Sequence, residues 1–343
     1  METYLRNCWY MAGWSEEVGE TGLTRQILGK PIYLYRLASG AVTAIADRCP
    51  HRFAPLSRGT RDGDILVCGY HGLRFGPDGR CVHNPFAERI PAGSTIPVST
   101  VEERDGILWL WGGAPDAADP ALIPAFPFIP DRPDWRTVRG YTLMKANYEY
   151  GTDNLLDLSH IEFVHKGTFA GQGVIFAGQH KVTLDGETLH SNWWMPGIAP
   201  PSMATGHMPP DAVVDHWLDM RWNAPASMRL NVGVCPHGEP REAGFEVPQA
   251  HILTPANEHE SHYFWSSSRS SDVASPEVDA FLLKLFGEAF DLEDKPMIEA
   301  AYDNVRGKDF WKEKPVSLGI DQGGARARRL LESLIRKEQP HHG

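Results

Sequence analysis

The chain has 343 residues, of which 42% are hydrophobic and 22% are charged, a composition typical of a folded globular protein long enough for two domains. Its net charge of −11 argues against a nucleic-acid-binding groove, and no apolar run approaches the ~18 residues of a membrane-spanning helix. The five cysteines are too sparse and odd in number for a secreted disulfide framework, so we expect a cytoplasmic protein that binds neither nucleic acid nor membrane.

The first third of the sequence predicts an all-β domain. Short segments rich in β-branched and aromatic residues alternate with turn sequences that contain glycine and aspartate, at 24–28, 32–37, 41–46, 65–68, 73–75, 96–101 and 107–111. Six prolines then follow between residues 115 and 133, a density that excludes a continuous helix or a central strand. We therefore assign residues 1–115 to the first domain and residues 116–134 to a Pro-rich linker.

The remaining residues, 135–343, mix strand and helix patterns and form the second predicted domain. In chain order the patterns predict a strand over 136–145, a helix over 147–165, β-hairpins from 174 to about 264, a helical stretch from 276 to about 305 and a basic helix over 325–337. Pro276 suits the first turn of the helical stretch, whereas Pro296 predicts a break inside it.

Four residues of the first domain have the spacing of a metal centre. Cys49 and His51 are followed, after 16 residues, by Cys68 and His71. A structural zinc site could use the same four ligands. However, each half of the motif pairs one cysteine with one histidine, so a dinuclear cluster can bind both thiolates on one iron and both imidazoles on the other. This is the ligand set of a Rieske [2Fe–2S] centre, which we therefore predict here.

A second set of candidate ligands lies in the predicted helix over 147–165. His160 and His165 are accompanied by Asp157, one helical turn before the first of them. On an ideal helix, positions 160 and 165 differ by about 140°, so the helix has to distort near 161–164 if both imidazoles bind one metal. A non-haem Fe(II) site also needs a carboxylate. Spacing alone does not choose among three neighbouring candidates, which are Asp291, Glu293 and Asp294. Of these we favour Asp294.

Together these motifs resemble those of the oxygenase (α) subunits of Rieske non-haem iron oxygenases, within them the vanillate and dicamba O-demethylase type. The resemblance covers nearly the whole chain and includes the segments 5–12, 49–56, 70–73, 82–85, 153–160, 250–255 and 293–295. It implies an α+β protein, in which an all-β Rieske [2Fe-2S] domain is followed by a catalytic domain with an antiparallel sheet packed by helices. Leu285 stands where the dicamba-type enzyme has a tryptophan, which argues against dicamba itself as the substrate.

The resemblance also implies the metal ligands. In the [2Fe–2S] cluster, Cys49 and Cys68 would bind one iron, and His51 and His71 would bind the other. Those of a mononuclear Fe(II) would be His160, His165 and Asp294, which supports the choice of Asp294 over Glu293.

The same resemblance implies four further site residues. Asn154 would line the iron site without being a firm ligand. Asp157 would be a bridge that hydrogen-bonds His160 and, across a subunit boundary of a homotrimer, His71 of the partner subunit. Asn231 and His251 match positions at which the dicamba-type branch places polar groups of the substrate pocket, and we expect them to bind substrate.

The function that the resemblance implies is that of the oxygenase component of a monooxygenase. It would use O2 and electrons from NAD(P)H, delivered by a ferredoxin-type reductase or a ferredoxin, to oxidise a small aromatic acid. We predict O-demethylation of a methoxylated aromatic acid such as vanillate. Hydroxylation of a methyl or ring carbon of another aromatic carboxylate or sulfonate is the alternative within this class. A Rieske electron-transfer protein without oxygenase activity is the alternative outside it.

Overall fold

The computed structural model describes residues 4–169 and 173–339 of the chain. These residues form two compact units. The first contains Met1–Ile123 together with Thr254–Glu258, and the second contains Pro124–Leu253 together with His259–Gly343. In both described ranges, no helix combines the length and the apolar character that crossing a membrane requires.

The first unit is built from short strands, as its sequence predicts. In chain order they are β1 (Trp9–Trp14), β2 (Leu23–Ile27), β3 (Lys30–Arg36), β4 (Val42–Ala46), β5 (Thr60–Asp62), β6 (Ile65–Val67), β7 (Arg74–Phe75), β8 (Cys81–His83), β9 (Val98–Ser99), β10 (Val101–Arg104) and β11 (Ile107–Trp111). They form antiparallel sheets with the orders β1-β11-β10, β2-β3-β4-β9 and β5-β6-β7-β8. Strand β1 escaped prediction because every one of its residues is buried, so its sequence lacks the alternation of a half-exposed strand.

The second unit centres on a seven-stranded antiparallel sheet. Its strands are β12 (Arg136–Met144), β13 (Gln179–Asp185), β14 (Thr188–Ile198), β15 (Val214–Asn223), β16 (Ser227–Pro236), β17 (Phe245–Asn257) and β18 (Glu260–Arg269). They lie in the order β12-β18-β17-β16-β15-β14-β13, so consecutive strands from β13 to β18 are neighbours and β12 closes one edge. The predicted α+β class, with an antiparallel sheet packed by helices, is confirmed.

In the sequence, two helices of the second unit follow β12 and three follow β18. They are α1 (Tyr148–Leu156), α2 (Ile161–Val164), α3 (Pro276–Gly287), α4 (Lys295–Asp303) and α5 (Gln322–Glu338). A π-helix, Glu288–Asp294, joins α3 directly to α4. The predicted break at Pro296 is therefore misplaced. Pro296 lies in the first turn of α4, and the irregular segment is the π-helix directly before it.

The continuous helix predicted over 147–165 is also wrong. Helix α1 ends at Leu156, and Asp157 leaves the helical region with φ −116° and ψ 79°. A single 3₁₀ turn, Leu158–His160, then leads into α2. The distortion predicted near 161–164 thus occurs a few residues earlier, as a break at Asp157 and not as a π-type turn.

An aromatic cluster packs the π-helix against the sheet. The Trp265 ring of β18 lies 5.4 Å from the ring of Phe286 and 5.5 Å from that of Phe290, measured between centroids. Opposite Trp265 on β12 stands Gly140, and a Cβ atom added there would lie 2.1 Å from the indole. The absence of a side chain at Gly140 therefore lets the indole lie across the neighbouring strand, from where it supports the π-helix.

A buried ion pair fixes the C-terminal helix against α1. The guanidinium of Arg328 on α5 donates to Glu149 at 2.8 Å and to Asp153 at 2.7 Å. Arg328 is only 5% exposed, so these two carboxylates replace the water that its charge would otherwise bind. Burial raises the pKa of Asp153 and Arg328 opposes that effect. Because Asp153 precedes Asn154 on α1, the ion pair also fixes the part of α1 nearest the candidate iron site.

Replacement of Gly140 tests the packing of Trp265. We expect Gly140→Val to reduce the free energy of unfolding by ~1–3 kcal/mol, because the new side chain overlaps the indole. The measurement is urea unfolding followed by tryptophan fluorescence. Gly287→Ala is the matched control, since a Cβ there meets nothing within 4 Å and alanine favours the helix. A Gly140→Val variant as stable as the parent would show that the sheet tolerates a displaced Trp265.

Candidate metal sites and the adjoining pocket

Two loops of the first unit begin at Cys49 and Cys68 and have the same backbone hydrogen bonds. In the first, the Cys49 N–H donates to the Ala54 carbonyl and the Cys49 carbonyl accepts from the Phe53 N–H, both at 2.9 Å. In the second, which is the connection from β6 to β7, the Cys68 N–H donates to the carbonyl five residues on at 2.8 Å, and its carbonyl accepts from the N–H four residues on at 2.9 Å. Each cysteine is thus held by the same closed turn.

Both turns require a left-handed residue at the fourth position after the cysteine. In the second loop this residue is Gly72, with φ +69°, a conformation that glycine adopts without strain. In the first loop it is Phe53, with φ +61°, which is unusual for a bulky side chain. The guanidinium of Arg48 lies over the Phe53 ring at 4.0 Å, a cation–π contact that favours this arrangement.

The loops place like ligands together. The thiols of Cys49 and Cys68 are buried and lie close enough for each to affect the other, while the rings of His51 and His71 lie 4.5 Å apart between centroids. Burial raises the pKa of Cys49, and hydrogen bonds from the backbone N–H groups of His51 and Arg52 counteract this in part. Paired thiols and paired imidazoles at adjoining positions fit a cluster that takes two sulfur ligands on one iron and two nitrogen ligands on the other.

In the second unit, His160, His165 and Asp294 come together although Asp294 lies far along the chain. One potential ligand atom from each residue lies within 4.8 Å of the others. The His160 Nε2 is 3.4 Å from Asp294 Oδ1, and the His165 Nε2 is 3.3 Å from Asp294 Oδ2. Two imidazole nitrogens and one carboxylate oxygen that converge in this way fit a non-haem Fe(II) with further coordination positions open.

The break at Asp157 explains how the two histidines meet. His160 closes the 3₁₀ turn and His165 follows directly after α2, so the two histidines do not lie on one continuous helix. Their rings lie 5.2 Å apart between centroids. Asp294 is the last residue of the π-helix, a type of helix that is rare and occurs often at functional sites.

Hydrogen bonds from behind orient both imidazoles. The Nδ1 of His160 lies 2.6 Å from the main-chain oxygen of Asp157, and the Nδ1 of His165 lies 2.8 Å from Glu293 Oε2. Both partners only accept hydrogen bonds, so Nδ1–H donates in each case and the Nε2 lone pairs face Asp294. Burial acts to raise the pKa of Asp294, but the neighbouring His160 and His165 outweigh it and hold this pKa well below its ordinary value.

Glu293 holds a candidate iron ligand, His165, a role that the sequence did not predict for it. Its carboxylate accepts from His165, from the Thr168 hydroxyl and, at 3.2 Å, from the backbone N–H of Gly167. Two adjacent acidic residues are a usable signal, because consecutive positions on a helix point in different directions. Here Asp294 faces the Nε2 atoms while Glu293 reaches the far side of His165.

Asn154 and Asp157 lie beside these residues. The Asn154 amide nitrogen is 3.2 Å from Asp294 Oδ1 and 3.4 Å from His160 Nε2, so it lies beside both candidate ligands. The expected hydrogen bond between the Asp157 carboxylate and His160 is not formed in the described chain, because the Asp157 carbonyl occupies that position. The Asp157 carboxylate instead accepts from the backbone N–H and the hydroxyl of Ser159, and it thereby caps the 3₁₀ turn.

The two expected substrate residues are not brought together. Alternation along β16 and β17 places Asn231 on the sheet face that carries Glu246, to which its amide donates, whereas His251 is on the opposite face. His251 is buried there beside Phe290 of the π-helix, at 5.5 Å between ring centroids. Only His251 therefore faces the side of the sheet that carries the candidate iron ligands. Substrate contact by either residue stays a prediction.

A pocket adjoins the histidine–carboxylate group. The polar residues in its lining are Asn154, Asp294, Tyr263 and Lys295. Most of the remaining wall is apolar and consists of Met144, Leu155, Leu253, Phe290 and Ile298. A mostly apolar concavity with a few convergent polar groups is typical of a small-molecule site.

Known proteins match this chain over almost its entire length. A family model described as the vanillate O-demethylase oxygenase C-terminal domain matches residues 144–337, and a Rieske [2Fe-2S] domain model matches residues 8–98. The oxygenase component of dicamba O-demethylase from Stenotrophomonas maltophilia is 38% identical over 98% of this chain and 99% of its own length. The chain belongs to the Rieske non-haem iron oxygenases of the vanillate O-demethylase type.

Further similarities agree with this membership. The iron-sulfur subunit TsaM1 of the toluene-4-sulfonate monooxygenase system from Comamonas testosteroni is 34% identical to this oxygenase over 98% of both chains. The crystal structure of dicamba monooxygenase bound to dicamba has a TM-score of 0.90 and 37% identity, with 98% of this chain and 99% of that chain covered.

The oxygenase is therefore an oxidoreductase with a Rieske [2Fe–2S] cluster and a mononuclear non-haem iron as cofactors. The match of its second unit to an oxygenase domain excludes the alternative of a protein that only transfers electrons. The Rieske match likewise excludes a structural zinc site at the four-ligand motif. As an oxygenase component it works with a separate protein that donates electrons.

Variants of the adjacent acidic residues distinguish a ligand from the residue that orients it. We expect Asp294→Ala to lose the mononuclear iron but keep the visible spectrum of the cluster, which lies in the other unit. Glu293→Gln should retain the iron with about 10–100-fold weaker affinity, because His165 is then less firmly oriented. The measurement is Fe(II) affinity from competition with a chelator.

Glu288→Gln is the control for these variants, because Glu288 belongs to the same π-helix but pairs with the exposed Lys284, at 3.7 Å, and not with a candidate ligand. Its iron affinity should equal that of the parent. Loss of iron in Glu293→Gln together with retention in Asp294→Ala would show that Glu293, and not Asp294, is the ligand.

Proposed function

We propose that the chain holds its two metal groups with the residues that the motifs single out. The cluster ligands are Cys49, Cys68, His51 and His71, and the mononuclear iron ligands are His160, His165 and Asp294. The proposal is supported by the pairing of like side chains in the first unit and by the close approach of the two Nε2 atoms to the Asp294 carboxylate. Asn154 lines the iron site beside them without serving as a ligand.

The reaction that this site supports best is O-demethylation of a methoxylated aromatic acid, with vanillate as the representative substrate. The observation that carries the proposal is the mostly apolar pocket whose polar wall includes Asp294. The vanillate O-demethylase oxygenase domain matched by residues 144–337 supports the same reaction. The methyl ether, O2, two electrons and two protons give a phenol, formaldehyde and water.

The chain's own residues prepare this reaction by orientation and by exclusion of water. When bound, the mononuclear iron supplies the activation of O2 for oxidation of a C–H bond. Glu293 and the Asp157 carbonyl keep protons on the Nδ1 atoms, so both Nε2 lone pairs remain free for the metal. The apolar part of the pocket wall suits an aromatic ring, from which it would exclude bulk water.

Hydroxylation of a methyl group is the second candidate reaction. It is favoured by the 34% identity to an iron-sulfur subunit of a toluene-4-sulfonate monooxygenase system. Both reactions begin with oxidation of a C–H bond in a small aromatic acid. They differ in the product, because the hydroxylated methyl ether collapses to a phenol and formaldehyde, whereas a hydroxylated aryl methyl group remains an alcohol.

We further propose the setting in which the oxygenase acts. A ferredoxin-type reductase or a ferredoxin would deliver electrons derived from NAD(P)H to the cluster. A homotrimer would bring the cluster of one subunit to the iron site of the next. The five cysteines are buried and unbonded to one another, which agrees with a cytoplasmic location.

A substrate panel tests the proposed reaction. With a matched reductase, NADH and O2, we expect formaldehyde release from 4-hydroxy-3-methoxybenzoate or from another methoxybenzoate, in step with NADH consumption. The panel includes 2-methoxybenzoate, 3-methoxybenzoate and toluene-4-sulfonate. Formation of 4-sulfobenzyl alcohol from toluene-4-sulfonate, with no formaldehyde from any methoxybenzoate, would show that the enzyme hydroxylates a methyl group and does not demethylate.

Asp157 is proposed to connect the two metal sites across the subunit boundary. Its Oδ1 caps the 3₁₀ turn through Ser159, and its other oxygen makes no hydrogen bond within the described residues, so it is available to His71 of the partner subunit. Asp157→Asn preserves a cap but carries one acceptor oxygen and one NH2 group. We expect this variant to retain both metals and to slow oxidation of the pre-reduced cluster at least about tenfold.

The measurement is a stopped-flow single turnover with substrate and O2. Ser159→Ala is the control, because it removes the hydroxyl that donates to Asp157 Oδ1 and leaves the Asp157 carboxylate intact. Parental cluster oxidation in Asp157→Asn with both metals present would exclude the bridge. Full activity of a monomer would exclude its cross-subunit form.

A further inference from the structure

The break at Asp157 deprives a main-chain carbonyl of its helical partner. In a continuous α-helix the Leu156 carbonyl would accept from the N–H four residues on, which is that of His160. Here the His160 N–H donates to the Asp157 carbonyl instead, at 3.4 Å, as part of the 3₁₀ turn. Leu156 is fully buried, where a carbonyl without a donor is costly. The break is therefore stable only if another part of the fold donates to Leu156.

Ser191 of β14 supplies this donor. Its hydroxyl donates to the Leu156 carbonyl at 3.2 Å, and Ser191 is only 1% exposed. A Cβ atom added to Gly323, in the first turn of α5, would lie 2.9 Å from the Leu156 oxygen and 2.9 Å from Ser191 Oγ. The backbone of α5 thus packs closely over this hydrogen bond and shields it from water.

His180 of β13 fixes the direction of the Ser191 hydroxyl. In the register of β13 and β14, His180 is paired with Trp193, two residues from Ser191, so the three side chains lie on one face of the sheet. The His180 Nε2 is 2.9 Å from Ser191 Oγ. The Leu156 carbonyl only accepts, so it takes the single hydroxyl proton, and the His180 Nε2–H donates to the serine oxygen.

Stacking holds the His180 ring in place for this hydrogen bond. The imidazole lies on the Trp193 indole, with the ring centroids 4.5 Å apart and the ring planes only 10° from parallel. Trp193 is itself buried, so the ring beneath His180 is held by its own packing. The hydrogen bonds therefore run in one direction, from His180 to Ser191 and from Ser191 to the end of α1.

The hydrogen bond to Leu156 also affects where His160 points. Without the Ser191 hydroxyl, the His160 N–H is the donor that a regular helix would offer to Leu156, and their hydrogen bond would extend α1 through the break. On a continuous helix, positions 160 and 165 differ by about 140° around the axis, so the two imidazoles would not both face Asp294. The Ser191 hydroxyl thus favours the broken conformation, in which they do.

We propose that Ser191 and His180 are positioning residues of the mononuclear iron site, because they supply the hydrogen bond that the interrupted helix lacks and so keep His160 directed at the metal. The inference rests on the proposed iron ligands and goes beyond them. It gives β13 and β14, which carry none of those ligands, a part in binding the iron.

The Fe(II) affinity of the enzyme, measured by competition with a chelator, tests the proposal without turnover. Ser191→Ala should weaken this affinity about tenfold, as is typical when a residue that orients a metal ligand is lost. Ser191→Thr retains a hydroxyl and suits a β-strand, so it should bind Fe(II) more tightly than Ser191→Ala. The visible spectrum of the cluster should remain parental in both variants, since the cluster lies in the other unit.

Ser261→Ala is the matched control, because it makes the same change at the opposite end of α1. The Ser261 hydroxyl is buried and donates at 2.7 Å to the carbonyl of Ala146, which directly precedes the N-cap residue of α1. Ser261→Ala should lower the thermal midpoint of the iron-free protein but leave the Fe(II) affinity within about twofold of the parental value. An equal loss of affinity in Ser261→Ala and Ser191→Ala would reveal a general effect of destabilisation and overturn the proposal.

Two variants of His180 test the second positioning residue, and they decide the question even if Ser191→Ala does not fold. His180→Phe keeps a ring that can stack on Trp193 but removes the N–H, so it should weaken the Fe(II) affinity about fivefold, the effect of one neutral hydrogen bond. His180→Gln carries an amide N–H that can take the place of Nε2–H and should bind Fe(II) more tightly than His180→Phe.

The result that overturns this inference differs from the one that refutes the ligands. Parental Fe(II) affinity in Ser191→Ala and in His180→Phe would show that the two residues serve the fold alone, and it would leave the proposed ligands standing. Retention of the iron in Asp294→Ala would refute the ligand set itself, whatever the variants of Ser191 and His180 show.

Discussion

The catalytic unit depends on one constraint, which is that the Asp294 carboxylate must meet two imidazoles from a distant segment of the chain in a place that excludes water. A buried carboxylate loses the solvation that stabilises its charge, and a metal cation bound jointly with His160 and His165 would compensate for that loss. The neighbouring histidines hold the pKa of Asp294 low against the opposing effect of burial. The three side chains thus form an arrangement that suits a metal.

The surrounding structure serves this meeting of side chains. A break at Asp157 divides what would be one helix and turns both histidines toward the same point. On the other side, the π-helix carries Asp294, and Trp265 packs against Phe290 of that helix and Phe286 of α3. Glu293 and the Asp157 carbonyl set the imidazole orientation from behind. The site therefore depends on irregular segments that regular packing supports.

The first unit reaches its ligand arrangement by local means. Each cysteine begins a turn closed by its own backbone N–H and carbonyl, and a left-handed residue completes the turn. Such geometry depends on a few consecutive residues, which is why the spacing of cysteines and histidines in the sequence is so informative. The second unit has no comparable local pattern, because its carboxylate comes from a segment that follows the entire sheet.

The sequence by itself determined the class of both units and the Rieske motif, and it predicted two histidines and an acidic cluster as candidates for the second site. These are properties of local spacing and of hydrophobic periodicity, which short windows of sequence contain. Only the tertiary structure decided the break at Asp157, the π-helix, the division of labour between Glu293 and Asp294, and the placement of Asn231 and His251 on opposite faces of the sheet. Each of these depends on which strand, turn or helix end meets another across the fold, because a side chain's direction is set by contacts that are remote in sequence.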